Sequence, residues 1–231
     1  MNITKKGWLL TIMTNSTKLL ISVSKGNSKT GAIAAFNLPP IKSCLNSSTC
    51  ASFKDAAGKE HKCYATLPYN RYKATKAAWD RNFEIAQNDL PELEAQLVKF
   101  FKSYNGQLFR LHVSGDFFSK EYLGMWVRVT KRFPDVKFLA YTKVYGFFKG
   151  LELPKNFSVL LSFMPSIPVP QATKFAEQIG LQIAHVTDER PVGFVTCPEQ
   201  TTDRKVNCVE CKLCWNISSL KRPINIHFIP H

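Results

Sequence analysis

Acidic residues are scarce in this chain, and long apolar runs and an even set of cysteines are missing from it. Only 17 Asp and Glu stand against 31 Lys and Arg, which leaves a formal net charge of +14. That imbalance predicts attraction to polyanions, with nucleic acid or a nucleotide as the expected partner; the plainer alternative is a generically basic surface. No run approaches the roughly 18 apolar residues of a membrane helix, and the apolar stretch from Trp8 to Met13 is too short for a signal-peptide core. No membrane partner is therefore expected, and a cytoplasmic location is. Repeats, low-complexity tracts and Gly/Ser linkers are absent as well. Hydrophobic residues make up 45% of the 231, with 17 Phe among them, enough for a large core and too much for disorder.

What is present alternates between strand and helix signals. Leu19 to Val23 is a short β-type run. Leu108 to Val113 (LFRLHV), Val136 to Tyr141, Ser158 to Phe163 and Leu181 to Val186 read as strands, with Phe194 to Thr196 and Ile224 to Ile229 as weaker ones. Between them, Asp89 caps a helix carrying Leu93, Leu97, Phe100 and Phe101 at helical spacing, ended by Asn105-Gly106. Ser119 caps a second helix, stopped by Pro134, and Pro170 to Ile179 form a third, closed by Gly180. Such alternation predicts an α/β fold with a parallel sheet, a partial or complete (βα) barrel first and a doubly wound open sheet second. Residues 1–196 would form the barrel-like domain, and residues 197–231 a cysteine-rich metal segment packed on it.

The seven cysteines are an odd number, and reduced clustered thiols favour metal ligation over disulfides. Cys197-Pro198 is followed after ten residues by Cys208-Val-Glu-Cys211-Lys-Leu-Cys214, close to the run that binds a [4Fe–4S] cluster in bacterial ferredoxins. Zinc is the alternative metal there, although structural zinc more often uses two separated Cys-x-x-Cys pairs. Cys44, Cys50 and Cys63, separated by five and twelve residues, offer three thiolates and leave a fourth position open, as a reacting metal requires. They could also be buried, unligated cysteines. His61 is a further candidate ligand or, more simply, a surface histidine of the charged insertion Lys54 to Lys62.

Several stretches resemble the phage "gene product 88" family. They are Gly26 to Pro40, Ser43-Cys44, Cys63-Tyr-Ala65, His112-Val-Ser-Gly-Asp-Phe117, Ala140-Tyr-Thr-Lys143 and Cys208 to Trp215. That resemblance implies a phage or prophage origin and no particular reaction. A second set of residues is similar to radical S-adenosylmethionine enzymes. Cys44, Cys50 and Cys63 come first in order, then Ser114-Gly115-Asp116 after the strand LFRLHV, then Tyr141-Thr142-Lys143 after the next. The likeness implies that the three thiolates hold a [4Fe–4S] cluster, and that Ser114, Gly115, Asp116 and Lys143 bind S-adenosylmethionine. The spacing of three and two residues usual in that family is five and twelve here.

Asp116 also follows a strand, at the edge where parallel sheets place functional groups, and is the candidate catalytic residue; the alternative is a turn aspartate. Asp188-Glu189-Arg190 occupies an equivalent edge, as an acid pair or a solvated turn. His112 reads as a buried, hydrogen-bonded histidine. Tyr69 to Arg81 mixes cations with aromatics and fits either nucleic-acid contact or the basic face of an amphipathic helix. Together these predict an iron–sulfur, radical-S-adenosylmethionine-like phage enzyme acting on a nucleic acid or nucleotide. A non-catalytic, metal-stabilised nucleic-acid-binding or regulatory protein is the rival. A zinc transglycosylase-like base-modifying enzyme is a third reading, though its usual catalytic motifs are not evident.

Overall fold

A computed structural model describes residues 20–27, 29–54, 58–201, 206–220 and 222–230. The stretch Trp8 to Met13, and Leu19 of the first β-type run, lie outside them. Ten short strands and seven helices follow one another along the described chain: β1 (Val23–Ser24), β2 (Ala34–Phe36), β3 (Ser52–Lys54), β4 (Glu60–Lys62), α1 (Thr66–Arg71), α2 (Lys73–Asn88), α3 (Leu90–Lys102), β5 (Leu108–Leu111), α4 (Lys120–Arg132), β6 (Lys137–Thr142), β7 (Phe157–Phe163), α5 (Val169–Ile179), β8 (Gln182–Val186), β9 (Phe194–Thr196), α6 (Cys208–Cys211), α7 (Leu213–Asn216) and β10 (Asn225–Phe228).

Eight of these strands form one sheet in the order β1-β2-β5-β6-β7-β8-β10-β9. Every pairing in it is parallel except that of β1 with β2. The fold is mixed α/β with a mostly parallel sheet, as the alternating signals predicted. The sheet has two ends, so the complete barrel is corrected to an open sheet: β1 is two residues long and antiparallel, and β9 is three. Nor is it doubly wound, because the strands from β2 to β8 follow chain order without a reversal. The hairpin β3–β4 stands apart, inside the segment read as a charged insertion.

Alternation along the strands decides which face each layer covers. Phe109, Leu111, Phe138, Ala140, Phe157 and Val159 pack with buried residues of α2, α3 and α4. Leu161, Phe163 and Ile183 continue that face under Ala172 and Ala176 of α5. Tyr122 and Trp126 of α4 are fully buried there beside Phe36 and Phe109, and each such ring contributes on the order of 1.5–3 kcal/mol by leaving water. The caps hold as expected. Asp89 accepts from the Glu92 amide at 3.0 Å and Ser119 from the Tyr122 amide at 3.1 Å, while Gly180 ends α5 at φ 78°.

The opposite face, with Leu108, Leu139, Leu160, Ala184 and Ile226, is covered by the C-terminal segment through Trp215 and Ile217. The Trp215 indole donates to the Phe109 carbonyl at 3.1 Å, and Ser158 Oγ donates to the Trp215 carbonyl at 3.1 Å. The segment also supplies β10, which lies between β8 and β9. It is therefore part of the sheet as well as its cover.

Candidate functional site

The loops that follow the parallel strands gather at the carboxyl edge of the sheet, the edge where such folds place their chemistry. The loop after β2 carries Cys44, Cys50 and Cys63. Two bonds dock it: the Tyr64 hydroxyl donates to the Val113 carbonyl beyond β5, and Asn46 Nδ2 donates to the Lys143 carbonyl beyond β6. Cys197 directly follows β9, and Cys208, Cys211 and Cys214 lie on α6 and α7 under the inner face. The capping box of Asn207 with Glu210 starts α6, and Lys212, at φ 53°, turns the chain into α7.

All seven cysteines are unpaired and half-buried, and all seven line one cavity of about 960 Å³. Sequence order alone did not require that meeting. The thiols fall into the two sets read from the sequence. The Cys50 thiol donates to Cys63, which raises the affinity of Cys50 for its proton and lowers that of Cys63. Burial and the neighbouring Asp116 push Cys44 up to about 11. In the second set, burial raises Cys197, takes Cys208 to about 11 and takes Cys214 to about 12, while Tyr141 donates a hydrogen bond to Cys214. Among the described residues no group of three or more Cys, His, Asp or Glu is arranged to hold a single metal ion.

Asp116 is buried, and its carboxylate bridges two strand ends. Oδ1 accepts from Thr142 Oγ1 at 2.7 Å and the Phe117 amide at 2.8 Å, and Oδ2 accepts from the Lys143 amide at 2.8 Å. A carboxylate has about four lone-pair sites, so roughly one is left for a ligand. Burial raises its pKa against these donors. Gly115 is held by more than ligand chemistry. Its φ is 88°, and a Cβ there would lie 2.6 Å from both Leu38 Cβ and Ser43 Oγ. Ser114 is buried, and its hydroxyl has no hydrogen-bond partner among the described residues. Lys143 reaches Ser162 Oγ at 3.3 Å from the cavity wall, and its charge favours the thiolates of Cys44, Cys50 and Cys63.

The remaining candidates separate cleanly. His112 is buried, as read, and bonds the Tyr122 hydroxyl at 2.8 Å; desolvation lowers its pKa to about 3. His61 is not a surface residue: it is buried in β4, stacked on Phe53 at 5.0 Å and lining the cavity. Its flanking charges hid it, because alternation in a hairpin turns one residue inward between two exposed ones. Asp188, Glu189 and Arg190 are exposed and do not line the cavity, so that turn is a solvated one. Tyr69 to Arg81 spans α1 and α2; its Tyr72, Thr75 and Trp79 line the cavity.

Sequence reasoning missed Arg110. It lies on β5 as the partner of Ala35 on β2, and its guanidinium covers the Tyr141 ring at 4.7 Å. A cation at the inward parity of an otherwise apolar strand was the signal that could have found it.

The family model described as Gene product 88 matches residues 8–217. The chain belongs to the Gene product 88 family. Among its relatives in that family are the Gene 88 protein of Mycobacterium phage L5, 30% identical over 67% of this chain and 73% of the relative, and that of Mycobacterium phage D29, 31% identical over the same shares. No solved structure matches. Gene product 88 membership covers both cysteine sets and the Ser114-Gly115-Asp116 turn, since all lie within the matched residues.

Proposed function

We propose that this protein is an iron–sulfur enzyme, similar to radical S-adenosylmethionine enzymes, that acts on a nucleic acid or nucleotide in the phage-infected cytoplasm. One observation carries the reading: three thiols and four thiols face a single cavity at the carboxyl edge of a parallel sheet. Strands that run in chain order, with α2 to α5 all on one face, suit a partial (βα) barrel better than any other parallel arrangement. Thiolates are the ligands that iron–sulfur clusters take, and seven unpaired thiols line the one chamber.

Cys44, Cys50 and Cys63 would hold one [4Fe–4S] cluster, and Cys197, Cys208, Cys211 and Cys214 a second centre, iron–sulfur or zinc. A cluster at the first set would supply one electron to a ligand on its open iron. The chain's own contribution is electrostatic. Lys143 offsets the charge of the first thiolates, and the Tyr141 hydroxyl holds the Cys214 sulfur by a hydrogen bond. Ser114, Asp116 and Lys143 would orient a S-adenosylmethionine beside the first set. The unpaired Ser114 hydroxyl and the spare Asp116 lone pair are the groups left over for it.

Anaerobic purification tests this directly. A brown protein containing iron and sulfide, in which Cys44→Ser, Cys50→Ser and Cys63→Ser each lose only part of the iron, is the expected result. A colourless protein whose metal is entirely zinc would overturn the enzyme reading. It would leave a metal-stabilised nucleic-acid-binding module, to which the packing of the C-terminal set beside Trp215 lends support.

A further inference from the structure

The same cavity has a chemical character that its thiols do not explain. Among the described residues, Lys29, Lys62, Arg110, Lys143 and Lys212 line it, against the carboxylates Asp116 and Glu199. Both acids are engaged: Asp116 by its three donors, and Glu199 by Lys29 at 3.6 Å. Arg110 is different. Its guanidinium carbon sits 4.7 Å from the centre of the Tyr141 ring, no carboxylate among the described residues pairs with it, and its Nε is buried without a hydrogen-bond partner. A planar fork of donors with an unmet N–H is complementary to a phosphate or carboxylate oxygen pair. A buried unmet donor also costs about 1–3 kcal/mol, which a bound acceptor would recover.

Aromatic rings line the same cavity. Trp79 is half-buried and stacked on Tyr69 at 6.0 Å, and Tyr72 is 53% exposed beneath the Arg71 guanidinium. At about 960 Å³ the chamber is near the top of the range for small-ligand sites, roughly 300–1,000 Å³. Aromatic rings to stack on a base and a cation for a phosphate are what a nucleotide's two ends require.

We propose that the cavity admits one nucleotide unit, its phosphate on Arg110 and its base against Trp79 and Tyr72. This rests on the nucleic-acid or nucleotide part of the function above and names the group that selects it. It is independent of which metal the thiols hold.

Isothermal titration of the whole chain with adenosine 5′-monophosphate and with adenosine, in apo and iron-loaded protein, provides the test. The monophosphate should bind at least tenfold more tightly than the nucleoside. Arg110→Gln should abolish that difference, and Arg110→Lys should restore part of it, because the charge returns without the fork. Trp79→Leu should weaken both ligands about equally, by roughly five- to hundredfold for one stacked base. Inorganic phosphate should compete with the monophosphate in the wild type and lose that ability in Arg110→Gln. A tetranucleotide binding more tightly than the monophosphate would assign the unit to a polynucleotide, and one binding more weakly to a free nucleotide; both support the site. An Arg110→Gln protein that keeps the full preference for the monophosphate overturns the proposal, with Arg110 then serving only as counter-charge to Cys208 and Cys214. If neither ligand binds the wild type, the nucleotide part of the functional reading falls with it, whereas loss of iron alone leaves this result untouched.

Discussion

At the scale of single residues, the Ser-Gly-Asp turn shows why a loop glycine can be indispensable without touching a ligand. Gly115 combines a left-handed backbone with contacts that leave no room for a methyl group. Gly115→Ala should therefore cost about 2 kcal/mol or more, the sum of backbone strain and overlap with Leu38 and Ser43. Urea unfolding measures it, and a loss below about 0.5 kcal/mol would contradict the geometry. His112 makes a second prediction, this one in pH. Its folded pKa of about 3 lies below the ordinary 6.5, so the unfolded chain binds the proton first. The stability tied to neutral His112 is present above pH 6.5 and is lost as pH falls towards about 3. Asp116, raised by burial, acts with the opposite sign in the acid range and partly offsets it. His112→Phe should flatten the fall in unfolding free energy between pH 7 and pH 4; an unchanged slope would place the titration elsewhere.

At the scale of elements, α2 is the segment whose reading depends most on its neighbours. The sequence fits either a nucleic-acid surface, favoured by its place just after Cys63, or a basic solvated face. The structure orders its cations unequally. Lys76 is tied to Asp80 and to the Tyr69 hydroxyl, whereas Arg71 covers Tyr72 beside the cavity and Lys73 is exposed. If polynucleotide binds here, Arg71→Ala and Lys73→Ala should each reduce the salt dependence of affinity by about 0.7 in the log–log slope for single strands, and Lys76→Ala by less. Fluorescence anisotropy across a salt series checks this, and equal effects at all three positions would contradict the ion pair. Helices α3, α4 and α5 and the middle strands were legible because each carries its own cap, stop or alternation: Asp89, Ser119, Gly180, and the runs around Phe138 and Leu160. Strand β2 was not, because Ala34–Phe36 offers only three residues of pattern. The two cysteine sets were legible as sets, while their sharing of one cavity was not, because it depends on where β10 inserts. Arg110 escaped notice for a related reason: one charge on a short strand has meaning only once its neighbours across the sheet are known.

At the scale of the whole molecule, the C-terminal segment is both wall and strand. Deleting residues from 206 onward removes β10 from between β8 and β9, together with Trp215 and Ile217 from the inner face. Such a truncation should abolish cooperative thermal unfolding rather than lower its midpoint by a few degrees; a sharp transition in the shortened chain would show that the sheet stands without its cover. The position of β10 also sets a schedule. Cys44, Cys50 and Cys63 are made about 160 residues before the strand that completes their chamber. At roughly 5–20 residues per second, those thiols wait on the order of ten seconds or more with their cavity unfinished. Until β10 joins the sheet the chamber lacks the wall that Ile226 and Phe228 supply, and its thiols stand open to the surrounding solution.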